Sequence, residues 1–216
     1  MTANYTVYAK WIKDEAEITP DPIPGHGWEN PFIDVKADDW FYGDVAYVSI
    51  NRLMLGTNTD PMLFNPNMAL TRGMAVTVLY RMSESPDASG LENPFDDVPY
   101  GMWYADAVKW AADNKLVNGY GDGKFGPEDI ITREQLALIL SKYERFAGMI
   151  PPDILPAKEF ADWNDISDWA KNAVRALTAQ GVIGGKPNNL FDPAGEATRA
   201  EFAALLHRFT PPADGG

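Results

Sequence analysis

Apolar residues recur with one spacing in three separate stretches of the chain. In each stretch they stand 4, 7, 8 and 11 positions after a threonine, which places them on one face of an α-helix. The threonine is the predicted N-cap, and Gln135 and Glu201 follow at the third helical position, where they complete a capping box. Met74 cannot complete one, so we expect the first of these helices to begin less firmly. The threonines are Thr71, Thr132 and Thr198.

A longer pattern leads into each of these helices and defines three sequence repeats. Each opens with a phenylalanine two positions before an aspartate, and the phenylalanines lie 63 and 65 residues apart (95 − 32 and 160 − 95). A tryptophan then starts an amphipathic helix, a glycine follows where that helix should end in a left-handed residue, and a Phe-x-Pro loop leads to the capped helix. The members are Phe32, Phe95 and Phe160; Asp34, Asp97 and Asp162; Trp40, Trp103 and Trp169; Gly56, Gly119 and Gly185.

Each repeat therefore predicts a helix–loop–helix unit. One such unit cannot bury its own apolar face, whereas three can by packing their second helices together. We predict one mostly α-helical, pseudo-threefold domain over residues 31–210, with repeats at 31–83, 94–146 and 159–210 and two helices in each. Among the aromatic positions, Trp110 is predicted to lie in the core.

The ends of the chain follow other patterns. Residues 5–12 alternate like a β-strand and resemble the close of the small β repeats (Listeria–Bacteroides type) of bacterial surface proteins, and a segment rich in proline and glycine occupies 20–27. We predict the end of a preceding β repeat plus a linker over residues 1–30, and a flexible tail over 211–216.

Composition narrows the possible partners. The 216 residues carry a formal net charge of −13, which disfavours nucleic acid and anionic membrane surfaces. The absence of cysteine excludes disulfides and thiolate metal sites. No apolar run is long enough for membrane insertion. No signal peptide opens the chain, so the export signal of a secreted protein would lie elsewhere.

An arginine occupies the first helical position of each capped helix: Arg72, Arg133 and Arg199. A helix N-terminus favours an anion, and a guanidinium adds a planar fork that matches a carboxylate or phosphate. Three equivalent arginines favour a repeated anion site, to which Arg72 is expected to contribute less because its helix has the weaker cap. The alternative for each arginine is a salt bridge to a nearby acid.

The order of these motifs resembles the S-layer homology (SLH) repeat of bacterial cell-surface proteins. Repeat 2 carries the resemblance in Phe95-Asp96-Asp97-Val98, in a glycine-rich loop over 119–123 and in Thr132-Arg133-Glu134-Gln135. Repeat 3 carries Thr198-Arg199-Ala200-Glu201, its form of the TRAE signature, whereas repeat 1 departs from it with Thr71-Arg72-Gly73-Met74.

The resemblance implies a helical spindle around a central three-helix bundle, with grooves between neighbouring repeats. It implies that these grooves bind pyruvylated secondary cell-wall polysaccharide and so anchor a secreted protein non-covalently to the cell wall or S-layer of a Gram-positive bacterium. Carried over residue by residue, it assigns glycan binding to the arginines, aspartates, tryptophans and glycines named above. It implies no enzyme activity, cofactor or metal.

The chemistry of these residues fits that implication. An arginine can bind the carboxylate of a pyruvyl ketal, an aspartate can accept sugar hydroxyls, an indole can cover a sugar C–H face and a glycine allows close approach of the backbone. The structural alternatives are core tryptophans, helix-capping aspartates and helix-ending glycines. At the level of function, the alternative is a protein-interaction or self-association module. An enzyme is not expected, because the chain contains none of the hydrolase or phosphate-loop motifs.

Overall fold

The prediction of a mostly α-helical protein is confirmed by a computed structural model, which describes residues 28–149 and 159–209. Over these residues the chain forms six α-helices, two in each repeat: α1 (Tyr42–Ile50), α2 (Arg72–Met82), α3 (Ala105–Asp113), α4 (Arg133–Phe146), α5 (Asp168–Ala179) and α6 (Arg199–Phe209). A two-residue hairpin pairs β1 (Asn58–Thr59) with β2 (Met62–Leu63) in repeat 1. The strand predicted at 5–12, the linker segment at 20–27 and the tail at 211–216 lie outside the described residues.

The second helix of each repeat begins as its sequence predicts. In all three, the threonine hydroxyl accepts a hydrogen bond from the N–H of the third helical residue. The reciprocal bond forms in two of the helices. The side chain of Gln135 accepts from the backbone N–H of Thr132 at 3.3 Å, and that of Glu201 accepts from the backbone N–H of Thr198 at 2.9 Å. The capping boxes of α4 and α6 are therefore confirmed. Helix α2, with Met74 at that position, has only the bond to the threonine hydroxyl.

The first helix of each repeat ends differently from its prediction. A left-handed residue does follow each helix, but it stands four residues before the glycine of the pattern. Non-glycine residues can adopt this conformation singly at a modest cost, so the glycine is not needed there. The left-handed residues that directly follow the helices are Arg52, Lys115 and Gly181. Of the three pattern glycines, Gly185 also has a positive φ, of 80°, whereas Gly56 and Gly119 do not.

The helices pack between repeats in cyclic order. Each second helix packs against the first helix of the following repeat, α2 on α3, α4 on α5 and α6 on α1. Leu79, Leu140 and Leu206, one from each second helix, are at most 1% exposed, so the predicted apolar face is buried. Two of the second helices, α4 and α6, also meet through side chains, since the ring centroids of Tyr143 and Phe209 lie 6.2 Å apart. The spindle shape around a central bundle stays a prediction.

A ring of backbone hydrogen bonds ties the three repeats together just before their second helices. The N–H of Leu70 donates to the carbonyl of Ala197 at 2.8 Å, that of Ala197 to Ile131 at 3.4 Å, and that of Ile131 back to Leu70 at 2.9 Å. All three residues are buried. Because each bond joins a different pair of repeats, the last repeat closes on the first.

Aromatic packing supports this core. Trp110 is buried as predicted, with ring centroids 5.5 Å from those of both Tyr80 and Phe146.

Across the described residues, none of the helices combines the length and the apolar character that a membrane crossing requires.

Candidate functional site

Three equivalent junctions between repeats bring the predicted site residues together. Each junction joins the first turn of one repeat's second helix to the Phe-x-Pro loop of the following repeat. Junction 1–2 contains Arg72, Phe125, Asp97, Gly119 and Trp103; junction 2–3 contains Arg133, Phe191, Asp162, Gly185 and Trp169; junction 3–1 contains Arg199, Phe64, Asp34, Gly56 and Trp40.

The N–H groups at these helix N-termini are already paired. In junction 1–2, the N–H of Arg72 donates to the carbonyl of Asp129 at 2.9 Å, and that of Gly73 to Pro127 at 2.8 Å. The other two junctions repeat this pattern, and the threonine cap takes the third N–H. The hypothesis that free helix N–H groups assist an anion is therefore wrong, because the neighbouring repeat supplies carbonyl partners.

The arginine side chain crosses each junction. Its Nε donates to the carbonyl of the Phe-x-Pro phenylalanine at 2.8 Å in all three copies. The guanidinium carbon also lies over the ring of that phenylalanine, at 4.7, 5.4 and 4.6 Å in junctions 1–2, 2–3 and 3–1, within the range of a cation–π contact. Each arginine therefore joins two repeats, whatever else it binds.

Two of the arginines make a second bond to a backbone carbonyl. Nη2 of Arg72 donates to Asn118 at 3.2 Å, and Nη2 of Arg199 donates to Leu55 at 2.7 Å. Both side chains are buried, and burial is the main cause that lowers the pKa of each, that of Arg199 to about 10. Both guanidinium groups therefore remain charged at neutral pH.

The third arginine pairs with an acid. Nη1 of Arg133 lies 3.3 Å from Oε1 of Glu201, which also belongs to the capping box of α6. The salt-bridge alternative for the signature arginines therefore applies in junction 2–3.

The aspartates clamp the Phe-x-Pro loop. Both oxygens of Asp97 accept hydrogen bonds at 2.8 Å from consecutive N–H groups, those of Phe125 and Gly126. Asp34 and Asp162 make the same pair of bonds at 2.7–2.8 Å. The aspartate thus holds the loop whose carbonyl receives the arginine, and the helix-capping alternative does not apply. The middle residue of each loop is left-handed, and it is Asn65, Gly126 or Asp192, types that tolerate this conformation.

The glycines are explained by close packing. A Cβ atom at Gly119 would lie 2.3 Å from the carbonyl oxygen of Lys124 and 2.7 Å from the ring of Phe95. A Cβ atom at Gly185 would lie 2.5 Å from the ring of Phe160. The opening phenylalanine of each repeat therefore packs directly on the glycine backbone.

The three tryptophans at the start of the first helices are exposed, by 65% at Trp40, 54% at Trp103 and 50% at Trp169. The core alternative therefore does not apply to them. In junction 2–3, Oε2 of Glu134 accepts from the N–H of Ser167 at 2.9 Å, two residues before Trp169. In junction 1–2, a Cβ atom at Gly73 would lie 3.4 Å from the ring of Tyr104, the residue after Trp103. The helix starts that carry Trp103 and Trp169 thus lie against the first turns of α2 and α4, which carry Arg72 and Arg133.

Sequence reasoning missed two sets of residues, the first of which lies in these junctions. One is the Phe-x-Pro phenylalanine, whose carbonyl and ring both receive the arginine. The other is a cation ten positions after each threonine, a regularity that the repeat pattern contained. These cations are Arg81, Lys142 and Arg208. No group of three metal-ligating side chains occurs within the described ranges.

Comparison with protein families agrees with this architecture. The model of the S-layer homology domain matches residues 94–137 and 159–203. The chain belongs to the S-layer homology family. The matched ranges of this SLH chain hold the signatures of repeats 2 and 3. Repeat 1 departs from the signature at Gly73 and Met74, but it makes the same contacts between arginine, phenylalanine and aspartate.

Several proteins are similar to this SLH chain over most of its length. An amylopullulanase of Thermoanaerobacterium thermosulfurigenes is 34% identical over 83% of the chain and 9% of the relative. A cellulosome-anchoring protein of Acetivibrio thermocellus is 30% identical over 68% of the chain and 33% of the relative. A surface-layer 125 kDa protein of Lysinibacillus sphaericus is 32% identical over 67% of the chain and 12% of the relative. The chain spans no more than a third of any of these relatives.

Proposed function

We propose that this SLH chain anchors a protein non-covalently at the bacterial cell surface by binding secondary cell-wall polysaccharide at the junctions between repeats. The family and two relatives, named for cellulosome anchoring and for a surface layer, support anchoring. An amylopullulanase shares the same region but matches it over only 9% of its length. A region shared by proteins with such different names is better explained by attachment than by catalysis.

The exposed tryptophans carry this proposal. Trp40, Trp103 and Trp169 occupy one position in each repeat and are at least half exposed, whereas Trp110 is buried. An indole gains free energy when its apolar face leaves water. A sugar ring presents a C–H face of suitable size, so three equivalent exposed indoles are typical of a repeated glycan site.

The finer part of the proposal is that the glycan carries a pyruvyl ketal. A guanidinium has five N–H donors, and the described bonds of Arg72 and Arg199 use two each. The remaining donors suit a carboxylate, and an acidic chain needs such local positive charge to bind an anion. In this proposal the arginine binds the carboxylate and the tryptophan covers the sugar. The aspartate and glycine shape the loop beside them.

Binding of purified cell-wall sacculi, before and after removal of the polysaccharide, tests this function. We expect Trp40→Ala, Trp103→Ala and Trp169→Ala each to weaken binding by about twofold to tenfold, the value of one aromatic contact. Tyr100, which is 99% exposed but has no counterpart in the other repeats, is the matched control, and Tyr100→Ala should bind like the parent.

Two outcomes would reject the proposal. Binding that survives removal of the polysaccharide would favour a protein partner or self-association. Tryptophan variants that bind as tightly as Tyr100→Ala would show that the indoles do not contact the ligand.

A further inference from the structure

The three junctions carry the same arginine but different charges around it. In junction 1–2, Asp129 lies near enough to Arg72 to favour its charged form, and the other two Phe-x-Pro loops have no acid at that position. In junction 2–3, Arg133 forms its ion pair with Glu201. Both junctions therefore supply their own counter-charge.

Junction 3–1 differs because its arginine has no paired acid within the part of the chain that the structure describes, so Arg81, the cation ten positions after its threonine, adds positive charge without a counter-charge. In junction 2–3 the equivalent cation, Arg208, donates to the carbonyl of Val182 at 3.4 Å, but there Arg133 is paired with Glu201.

Nη1 of Arg81 donates to the carbonyl of Leu53 at 3.0 Å, two residues from Leu55, which receives Arg199. Burial lowers the pKa of both arginines, and the nearby charge of Arg81 lowers that of Arg199 further. Asp34 opposes this effect, but both of its oxygens already accept backbone N–H groups. Among the described residues, neither arginine forms a salt bridge.

The sequence of repeat 1 explains this difference. Glu201, at the third position of α6, pairs with the arginine of the preceding repeat. By repeat equivalence, the residue in this position relative to Arg199 is Met74, at the third position of α2, and the one relative to Arg72 is Gln135, which is also uncharged. Met74 has no charge. A methionine at this position therefore leaves the capping box of α2 without its reciprocal bond and leaves Arg199 without a paired acid.

Two like charges near each other, one buried at Arg199 and one partly buried at Arg81, are unfavourable unless an anion lies near both. A carboxylate has two oxygens and can accept from two guanidinium groups. We propose that junction 3–1 is the preferred carboxylate site of the domain, with Arg81 and Arg199 sharing the carboxylate of the wall glycan. This inference rests on the proposed function and deepens it, because it ranks the junctions and adds Arg81 to the binding residues.

A matched set of substitutions tests the ranking. Arg81→Gln, Lys142→Gln and Arg208→Gln each remove one cation from the same position of a repeat, and titration with pyruvylated wall-polysaccharide fragments measures the effect. We expect Arg81→Gln to lower affinity by about tenfold or more, the effect of one charge-assisted bond, and the other two to stay within about threefold of the parent. Arg81→Lys should recover part of the affinity, because it keeps the charge and loses the planar fork.

A second variant tests the same reasoning by gain of binding. Glu201→Gln keeps the capping box, as Gln135 does in repeat 2, but removes the acid from Arg133. We expect it to strengthen binding of the pyruvylated fragments or to add a second site. This measurement does not depend on whether Arg81→Gln is stably folded. For Arg81→Gln itself, comparison of its melting temperature with that of the parent is the control for folding.

The outcomes separate the inference from the function on which it rests. If the parent binds the fragments but Arg81→Gln binds as Arg208→Gln does, the ranking is wrong and the anchoring proposal stands. Unchanged binding by Glu201→Gln would likewise overturn the ranking. If the parent does not bind pyruvylated polysaccharide at all, both proposals fail.

Discussion

Replacing Asp97 by asparagine perturbs one junction with almost no change in shape. The two oxygens of Asp97 accept from the N–H groups of Phe125 and Gly126, both at 2.8 Å. Asparagine keeps one acceptor and turns an NH₂ group towards the other N–H, so one buried donor loses its partner. The missing charge-assisted bond and the unpaired donor together should cost about 3 kcal/mol. For a chain of this size, that corresponds to a fall of about 6–12 °C in melting temperature.

Asp96 provides the control within the same segment. Its side chain is exposed, next to Asp97 in the chain, and Asp96→Asn removes the same charge. Denaturant unfolding at pH 7, followed by circular dichroism, would compare both variants with the parent. If Asp97→Asn destabilises the protein by no more than Asp96→Asn does, the aspartate clamp does not hold the loop, and the structural role assigned to the aspartates is wrong.

Three further predictions concern the core and the helix ends. Leu140→Ala should cost about 2–5 kcal/mol in denaturant unfolding, because its side chain is fully buried between helices. Hydrogen exchange should be faster at the N–H of Thr71 than at those of Thr132 and Thr198, which are bonded in capping boxes. Burial is the main cause that raises the pKa of Glu144, so the folded state binds a proton there more readily than the unfolded state, and stability falls as pH rises through this pKa. Glu144→Gln should therefore have a higher melting temperature than the parent at pH 7, and this difference should disappear at about pH 4.

The features that depend on residues close together in the sequence, such as helix periodicity and helix capping, could be predicted from the sequence. The spacing after Thr132 defines one face of a helix, and that face is buried at Leu140. The third residue after each threonine decides whether a capping box forms, because both partners lie within one helical turn. Repetition then added information that a single copy lacks, since three copies of one helix–loop–helix unit predict how the units pack.

The roles of the junction residues could not be predicted in the same way. The carbonyl that receives Arg72 belongs to Phe125, 53 positions along the chain, and it is held there by Asp97. Every residue type carries backbone carbonyl and N–H groups, so the sequence does not show which of them a side chain will bind. The arginine therefore resembled a free anion site, and the aspartate resembled a possible helix cap. The glycines resembled helix ends for a related reason. Their cause is the ring of a phenylalanine that precedes the same helix, which becomes a neighbour only after folding.

Binding of an anionic wall glycan at the junctions is tested most directly by calorimetric titration of the parent protein with wall polysaccharide, before and after chemical depyruvylation. In the proposed function, removing the pyruvyl carboxylate would take away one charge-assisted bond at each occupied junction. We therefore expect depyruvylation to weaken binding by about tenfold or more. Equal affinity for both forms of the polysaccharide would contradict a carboxylate site at the arginines.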